Sequence, residues 1–409
     1  MSEWFIRATD VLFFKDGREV APGSEYSASS VFPPNPQTFY GALRSALLSN
    51  DSGTDFSKDD FGEIAPLTQK LVGTKSQPGD LCIEHYALCT QKNGRVESLY
   101  RLPADVLKRK KPPKGKEAVS TTAPVSLAKY GIRNNQPKVL ETNWFVHEEG
   151  AFFEYMPVFI PESLFRNYLL NNLEGEQADR SDSLAHMLIN IDASENGKPA
   201  SYFVQEPRMG IVIDRQTRTV EEGKLFTTPF IRLNDMEGVG FKLRLNINHN
   251  VLEQQDGTSL LRLGGDGKLA SLEPLEPAAG DDNFSNELAK KLKGQYHFKA
   301  IVTTPAIFKN GWIPDGIDPE TLQGVINGVE VRLRSAVLSR FMNIGGWDVA
   351  RNRPKPSRRA VAPGAVYYFE SEQPLTEEII GKLHAKSICS DEKQEYQKQG
   401  LGIIHLGVA

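Results

Sequence analysis

Two short windows of this sequence concentrate positive charge in the way that a phosphate-binding surface requires. The stretch RNRPKPSRR, residues 351–359, holds five cations in a chain whose formal net charge is −4. These cations are Arg351, Arg353, Lys355, Arg358 and Arg359. The second window, KRKKPPKGK at residues 108–116, holds six more and also contains two prolines. Such runs in a mildly acidic chain indicate segregated charge, and a solvated loop is the ordinary alternative for each.

The residues around the first window add features that suit a single-stranded nucleic acid. Arginine is a planar, bidentate donor to phosphate, and the prolines of RPKPS are expected to hold a loop extended, which lowers the entropy lost on docking. The preceding segment GGWDVA has glycines that permit a close approach and Trp347, which offers a stacking face. Packing of Trp347 in the core is an equally open interpretation.

The N-terminal segment SSVFPPNPQTFYGALRSALLS predicts an amphipathic helix over residues 36–49, with a proline in its first turn. Asn35 is expected to cap this helix through its side chain, so that the first-turn amides form an anion site to which Thr38 adds a hydroxyl. Gly41 either allows close backbone approach of a ligand or packs the helix tightly on a sheet. Arg44 either contacts phosphate or forms a salt bridge.

Two further segments contain candidate phosphate contacts. In EPRMGIVID, Arg208 either pairs with Glu206 to fix a loop or contacts the ligand. In TPAIFKNGW, Lys309 lies in a loop after a predicted strand and is a phosphate candidate, whereas Trp312 is expected to pack.

The sequence contains no recognisable nucleotide-binding, zinc or nucleophile-elbow motif, so we predict neither a cofactor nor a metal. Metal-free RNA cleavage would need a histidine with lysine or tyrosine partners. Only His297, in GQYHFKAIV, has both as neighbours, Tyr296 and Lys299. A strand there would place His297 and Lys299 on one face, and this arrangement is kept as the enzyme alternative.

Short apolar segments that alternate with isolated helices predict an α+β fold made of two ferredoxin-like units with long insertions. We place the division at residues 1–220 and 221–409. Besides residues 36–49, helices are expected at 161–173, 284–293 and 375–386. The polar stretch 104–143 is interpreted as a partly mobile insertion, and the C-terminal GLGIIHLG is interpreted as a glycine-rich loop.

The overall composition is that of an ordinary globular protein, with 39% hydrophobic and 24% charged residues. The three cysteines are too few for a disulfide framework, and we expect them to be reduced thiols. The N-terminus lacks signal-peptide features, and no apolar run has the length of a membrane span. We therefore expect a cytoplasmic protein with no membrane partner.

Five sequence blocks, taken in order, resemble the third subunit of the Cmr module of type III-B CRISPR–Cas effectors, a RAMP protein. The blocks begin LFFKDGREV, VQEPRMGIV, LRLGGDGKLA, TTPAIFKNGW and GGWDVARNRP. The resemblance implies two ferredoxin-like, RRM-like domains and a non-catalytic subunit. This subunit would anchor the 5′ tag of the guide RNA and dock the large polymerase-like subunit and the backbone RAMP subunits in antiviral defence. The alternatives are a guide-processing endoribonuclease and a purely structural adaptor.

Overall fold

Strands outnumber helices among the residues that the structure describes, in agreement with the predicted α+β class. The computed structural model describes residues 1–15, 30–106, 108–109, 153–154, 158–171, 202–214, 216–252, 259–276, 281–348, 351, 353–389 and 395–409. Most of the predicted insertion at 104–143, with its basic window at 108–116, lies outside these residues. The expectation that it is mobile stays a prediction.

The elements are numbered here in chain order. The strands of the first part of the chain are β1 (Ser2–Ala8), β2 (Ile83–Lys92), β3 (Arg95–Arg101), β4 (Lys108–Arg109), β5 (Phe153–Glu154), β6 (Phe159–Pro161), β7 (Phe203–Ile213), β8 (Val220–Leu233), β9 (Val239–Leu245), β10 (Leu260–Arg262) and β11 (Leu269–Leu275). Those that follow are β12 (His297–Val302), β13 (Gln323–Ile326), β14 (Val329–Val337), β15 (Met342–Ile344), β16 (Trp347–Asp348), β17 (Arg353–Pro354), β18 (Arg358–Ala360), β19 (Val366–Ser371), β20 (Lys386–Ser387) and β21 (Ile403–Val408). The helices are α1 (Pro36–Ser49), α2 (Pro66–Val72), α3 (Glu162–Leu169), α4 (Asp281–Leu292) and α5 (Glu377–Leu383).

The first sheet has seven antiparallel strands in the order β10-β11-β1-β9-β2-β3-β6. Strands β1 and β2 are therefore parallel to each other, with β9 between them. Helix α1 lies in the connection from β1 to β2 and packs on this sheet through Phe39, Leu43 and Leu47, which share a core with Phe241. The periodicity that predicts α1 is thus the spacing of its buried residues.

The second sheet has six antiparallel strands in the order β13-β14-β19-β12-β21-β20. Here β12 and β14 are the parallel pair, and β19 separates them. Helix α5 follows β19 and is capped by Thr376, whose hydroxyl accepts a hydrogen bond from the Ile379 amide at 3.2 Å. Phe165 of α3 shares the core of this sheet with Phe298 and Phe369.

The expected boundary at residue 220 does not coincide with the division between the two sheets. Strands β9 and β11 follow this boundary in sequence, yet both pair with β1 in the first sheet. The sheets divide instead between β11 and β12. Local patterns do not reveal the long-range pairing that returns the chain to its first strand, and the division into two domains stays a prediction.

The C-terminal segment is a strand, not the glycine-rich loop that the sequence favoured. Strand β21 lies inside the second sheet, between β12 and β20. Gly400 and Gly402 form the turn before it with positive φ values of 77° and 71°. A Cβ atom at Gly407 would lie 2.9 Å from Cε of Lys299 and 3.1 Å from the Leu169 carbonyl oxygen, so the strand passes close to both residues.

In the described part of the chain, no helix is both long and apolar enough to cross a membrane.

Candidate nucleic-acid interface

The basic stretch RNRPKPSRR forms one arm of a β-hairpin and is not an unpaired loop. Met342 pairs with Ala360 at its base, and Asp348 pairs with Arg353 near its tip. Between them, the Lys355 amide donates to the Gly346 carbonyl at 2.9 Å. We call residues 342–360 the basic hairpin.

The two prolines favour a loop over a strand in the sequence, because a proline has no amide hydrogen to donate in a strand ladder. Pro354 pairs with Trp347, and the adjacent pair in the ladder, Lys355 and Gly346, is hydrogen-bonded. Residue pairs in an antiparallel ladder alternate between bonded and non-bonded positions. Pro354 thus occupies a position at which the partner strand needs no donor.

Most cations of the basic hairpin point into solvent. The side chains of Arg353, Arg358 and Arg359 are exposed. Arg351 is also exposed but donates from Nη1 to Oδ2 of Asp348 at 3.0 Å. Because Asp348 is the only acidic residue among residues 342–360, the hairpin keeps a large positive excess.

Two aromatic side chains stand beside these cations. Trp347 is 55% exposed, which excludes the core interpretation and leaves its face open for stacking. Phe341, which sequence analysis missed, is 59% exposed and lies directly before the hairpin. The guanidinium of Arg359 sits over its ring, with Cζ 4.8 Å from the centroid. The only feature of the sequence that points to Phe341 is its position between the apolar strand β14 and the basic stretch.

The start of helix α1 differs from the predicted anion site. The side chain of Asn35 makes no capping hydrogen bond, and its Oδ1 is buried without a partner among the described residues. The Asn35 carbonyl instead accepts a hydrogen bond from the Thr38 amide at 2.9 Å. Capping by the Asn35 side chain is therefore wrong, and one first-turn amide is already used. The Thr38 side chain remains half-buried beside the exposed turn of the helix.

Gly41 is exposed, and a Cβ atom added there would meet nothing within 4 Å. The interpretation of Gly41 as a tight packing position on a sheet is therefore wrong. Gly41 lies at an open position of α1, and the approach of a ligand backbone there stays a prediction.

Arg44 forms no salt bridge within the described residues, and its contact with phosphate stays a prediction. Its Nη2 donates to the Thr74 carbonyl at 2.8 Å, and its guanidinium lies 5.9 Å from the centre of the Tyr40 ring. Its Nε is buried and has no hydrogen-bond partner in the described part of the chain. Burial lowers the pKa of Arg44, but an arginine stays charged in proteins.

Arg44 of helix α1 lies within electrostatic range of the basic hairpin. Burial lowers the pKa of the half-buried Lys355, Asp348 opposes this shift, and the charge of Arg44 adds to it. Arg351 and Asp348 act on Arg44 in the same way. Three cations from elements about 300 residues apart in sequence are thus within electrostatic range of one carboxylate, and Arg351 is ion-paired with it. This group, Arg44, Arg351, Lys355 and Asp348, is called the cation cluster below.

Arg208 lies in strand β7, where it pairs with Glu206 as one sequence interpretation proposed. Its Nη2 donates to Oε1 of Glu206 at 2.7 Å. Arg232 reaches the other oxygen of Glu206 at 2.7 Å and also contacts Asp10 at 3.3 Å. Arg208 is thus neutralised within the protein, and the structure does not group it with the cation cluster.

Lys309 is brought to the base of the basic hairpin. The Ala306 amide donates to the Val361 carbonyl at 3.0 Å, and the Val361 amide donates back at 2.8 Å. The loop that carries Lys309 begins at this bridge, directly beside the end of the hairpin, and the Lys309 side chain is exposed. Trp312, in the same loop, packs against the second core as predicted.

His297 and Lys299 do not form the accessible pair that a nuclease would use. The His297 side chain is 62% exposed, with Nε2 3.8 Å from Oε1 of Glu370. Lys299, two residues along β12, is buried with Nζ 3.7 Å from the centre of the Tyr168 ring. Burial lowers the pKa of Lys299 to about 8. The two side chains therefore have different environments and no common surface.

Comparison with known proteins identifies the family. The chain has similarity to three cryo-EM structures: a type III-B Cmr-beta bound to cognate target RNA (14% identity, 90% of this chain and 86% of that chain, TM-score 0.46), the same assembly with target RNA and AMPPnP (15%, 90% and 86%, 0.46) and its apo state (14%, 67% and 97%, 0.26). No curated protein matches the chain. A family profile described as CRISPR-associated protein (Cas_Cmr3) matches residues 4–409. The chain therefore belongs to the Cas_Cmr3 family of CRISPR-associated proteins.

Proposed function

We propose that this protein is a non-catalytic RNA-binding and assembly subunit of a type III-B CRISPR effector. In this role it holds the 5′ tag of the guide RNA and docks the large polymerase-like subunit and the backbone RAMP subunits in the cytoplasm. The observation that carries the proposal is the electrostatic proximity of Arg44 in α1 to the basic hairpin. It relates the cation cluster to the exposed arginines of the hairpin and to α1, in which Gly41 is exposed.

The chemistry of this surface suits a single strand. Arg353 and Arg358 are exposed and available to successive phosphates, Arg359 lies over the Phe341 ring, and Arg351 is ion-paired with Asp348. The exposed ring of Trp347 offers a stacking face for an unpaired base. Phosphate contacts of this kind position an RNA without reading its sequence.

The strand orders support two ferredoxin-like units. In such a unit, two parallel strands joined by a crossover are separated by an antiparallel strand. The first sheet has this arrangement in β1, α1, β2 and the intervening β9. The second has it in β12, β14 and the intervening β19, with α5 leading towards β21. RRM-like sheets are a common platform for single-stranded RNA.

Crosslinking of the assembled effector tests this function. Guide RNA carrying a photoreactive nucleotide at each tag position is crosslinked, and the attached peptides are identified. We expect tag nucleotides on peptides from residues 342–360 and 36–49. Crosslinks confined to other subunits, with the tag unprotected in footprinting, would favour the structural adaptor. Metal-free cleavage of repeat RNA that is lost in His297→Ala would contradict the non-catalytic assignment.

A further inference from the structure

We propose that Asp105 is a positioning residue for guide binding, a buried carboxylate that fixes the basic hairpin of the second sheet relative to α1 of the first. The inference rests on the proposed function and adds to it the device that holds its two parts in register. It concerns side chains in the protein core that do not themselves contact RNA.

Two tyrosine hydroxyls converge on the Asp105 side chain. The Tyr168 hydroxyl donates to Oδ2 of Asp105 at 2.6 Å, and the Tyr368 hydroxyl donates to the same oxygen at 2.7 Å. Burial and the charge of Asp105 raise the pKa of both tyrosines, so each keeps the proton that it donates. None of the three residues is more than 7% exposed, so water does not compete for these hydrogen bonds.

A buried cation lies beside this pair of hydrogen bonds. Nζ of Lys299 is 3.7 Å from the centre of the Tyr168 ring. Burial lowers the pKa of Lys299, and the charge of Asp105 opposes this shift. Buried charges persist when they compensate each other, and Asp105 and Lys299 do so here. We call Asp105, Tyr168, Lys299 and Tyr368 the Asp105 clamp.

The Asp105 clamp joins one edge of the first sheet to the middle of the second. Strand β3 ends at Arg101, shortly before Asp105, and β6 leads directly into α3, which carries Tyr168. Strands β3 and β6 are neighbours at this edge of the first sheet. Lys299 and Tyr368 pair with each other across β12 and β19 of the second sheet. One carboxylate thus connects chain segments that continue both sheets.

The segment that carries Asp105 also holds the root of the basic hairpin. The Ala104 amide donates to the Gly364 carbonyl at 2.8 Å, and Gly364 lies between the end of this hairpin and β19. Helix α1 packs on the first sheet, and its Arg44 lies within electrostatic range of the hairpin. The separation between α1 and the hairpin therefore depends on the junction that the Asp105 clamp holds.

The test measures this separation in the full-length subunit without RNA. Spin labels are attached through Ser49→Cys, at the end of α1, and Asn343→Cys, in the basic hairpin, both at exposed positions. The half-buried Cys82 is replaced by serine in every sample. Pulsed electron paramagnetic resonance then gives the distribution of distances between the two labels. Guide retention of assembled effectors and the thermal midpoint are measured for the same clamp variants without labels.

Asp105→Asn keeps the size of the side chain but removes the charge that compensates Lys299. We expect it to broaden the distance distribution and to lower guide retention about fivefold. Tyr368→Phe, which removes one donor, should act in the same direction and less strongly. Asp105→Asn combined with Lys299→Met leaves neither charge in the clamp and should lie closer to the wild type than Asp105→Asn alone.

Tyr367→Phe is the matched control, because it removes a buried tyrosine hydroxyl from the same strand. That hydroxyl donates to the Trp312 carbonyl at 2.6 Å and does not reach the Asp105 clamp. We expect Tyr367→Phe to lower the thermal midpoint about as much as Tyr368→Phe does. It should leave the distance distribution and guide retention unchanged.

Three results would overturn the inference: a wild-type distance distribution in folded Asp105→Asn, a loss of guide retention without broadening, or equal broadening in Tyr367→Phe. Should Asp105→Asn fail to fold, the pair Tyr368→Phe and Tyr367→Phe carries the same test. The proposed function fails separately, when Arg358→Ala leaves guide retention unchanged, because the distance measurement involves no RNA.

Discussion

Two hairpins of this protein carry arginines, and they use them in opposite ways. In the hairpin of β7 and β8, which we call the ion-paired hairpin, Arg208 and Arg232 share Glu206, and Arg232 also contacts Asp10. In the basic hairpin, one acidic residue stands against five cations within residues 342–360. A cation is available to a ligand only where the protein has not neutralised it, and this is visible in the contacts rather than in the composition.

Charge reversal should separate the two hairpins most strongly. Arg358→Glu combined with Arg359→Glu replaces two attractive phosphate contacts by repulsion, and we expect guide retention to fall about 100-fold at low salt. Arg208→Gln combined with Arg232→Gln should change retention by less than about threefold. Guide occupancy of assembled complexes measures both. Equal losses would mean that the ion pairs do not distinguish the hairpins.

Lys355→Met should affect binding and stability in opposite directions. Burial lowers the pKa of Lys355, so the charged form is unfavourable in the folded state below that pKa, and this cost is relieved as the pH rises towards the unfolded value of about 10.4. We expect guide retention to fall about fivefold while the thermal midpoint stays level or rises. The exposed Arg95→Ala serves as the control. A lower midpoint with normal retention would assign Lys355 a structural role.

Glu206→Gln should give the ion-paired hairpin an excess of positive charge, as the basic hairpin has. Hydrogen bonds from Arg208 and Arg232 lower the pKa of Glu206, so it is ionised at neutral pH and, together with Asp10, neutralises both. Its replacement should raise salt-sensitive binding of unrelated single-stranded RNA about twofold, measured by fluorescence anisotropy. Glu372→Gln, on an exposed position, is the matched control. Unchanged binding would show that more than charge separates the two hairpins.

Acid below about pH 6.5 should lower the thermal stability of the fold. Above that pH, the difference between the two hairpins should be unaffected. Burial lowers the pKa of His384 to about 4. Burial and nearby positive charge lower the pKa of His405 well below its ordinary value. Histidine in the unfolded chain has a pKa of about 6.5, so the folded state loses stability as the pH falls from that value towards 4. The thermal midpoint of the wild type should drop across this range. The drop should be smaller in His384→Gln and the same as in the wild type in the exposed control His297→Gln. A flat profile would contradict the burial of neutral histidines.

Local patterns predicted those elements whose signals lie within the element. The bounds of α1 follow from Pro36 in its first turn and from the spacing of its apolar residues. Glycines also permit the turn between β10 and β11, where Gly264 and Gly267 have positive φ values of 80° and 63°.

The missed features depend on contacts distant in sequence. The glycine-rich sequence favours a loop at β21, whereas the neighbours of its Gly407 in the sheet, Lys299 and Leu169, lie more than a hundred residues earlier in the chain. The pairing of RNRPKPSRR was hidden because only the register shows that Pro354 occupies a non-bonded position. The proximity of Arg44 to Lys355 has no local signal, so the sequence predicted the members of the site but not their grouping.

The salt dependence of guide retention tests most directly whether the basic hairpin holds RNA phosphates. Each lost contact with a single strand should reduce the log–log slope by roughly 0.7. Arg358→Ala combined with Arg359→Ala should therefore flatten the slope by about 1.4 relative to the wild type, with an unchanged thermal midpoint. Arg95→Ala combined with Arg262→Ala, two exposed arginines of the first sheet, should leave it as it is. Identical slopes for the two double variants would contradict the account.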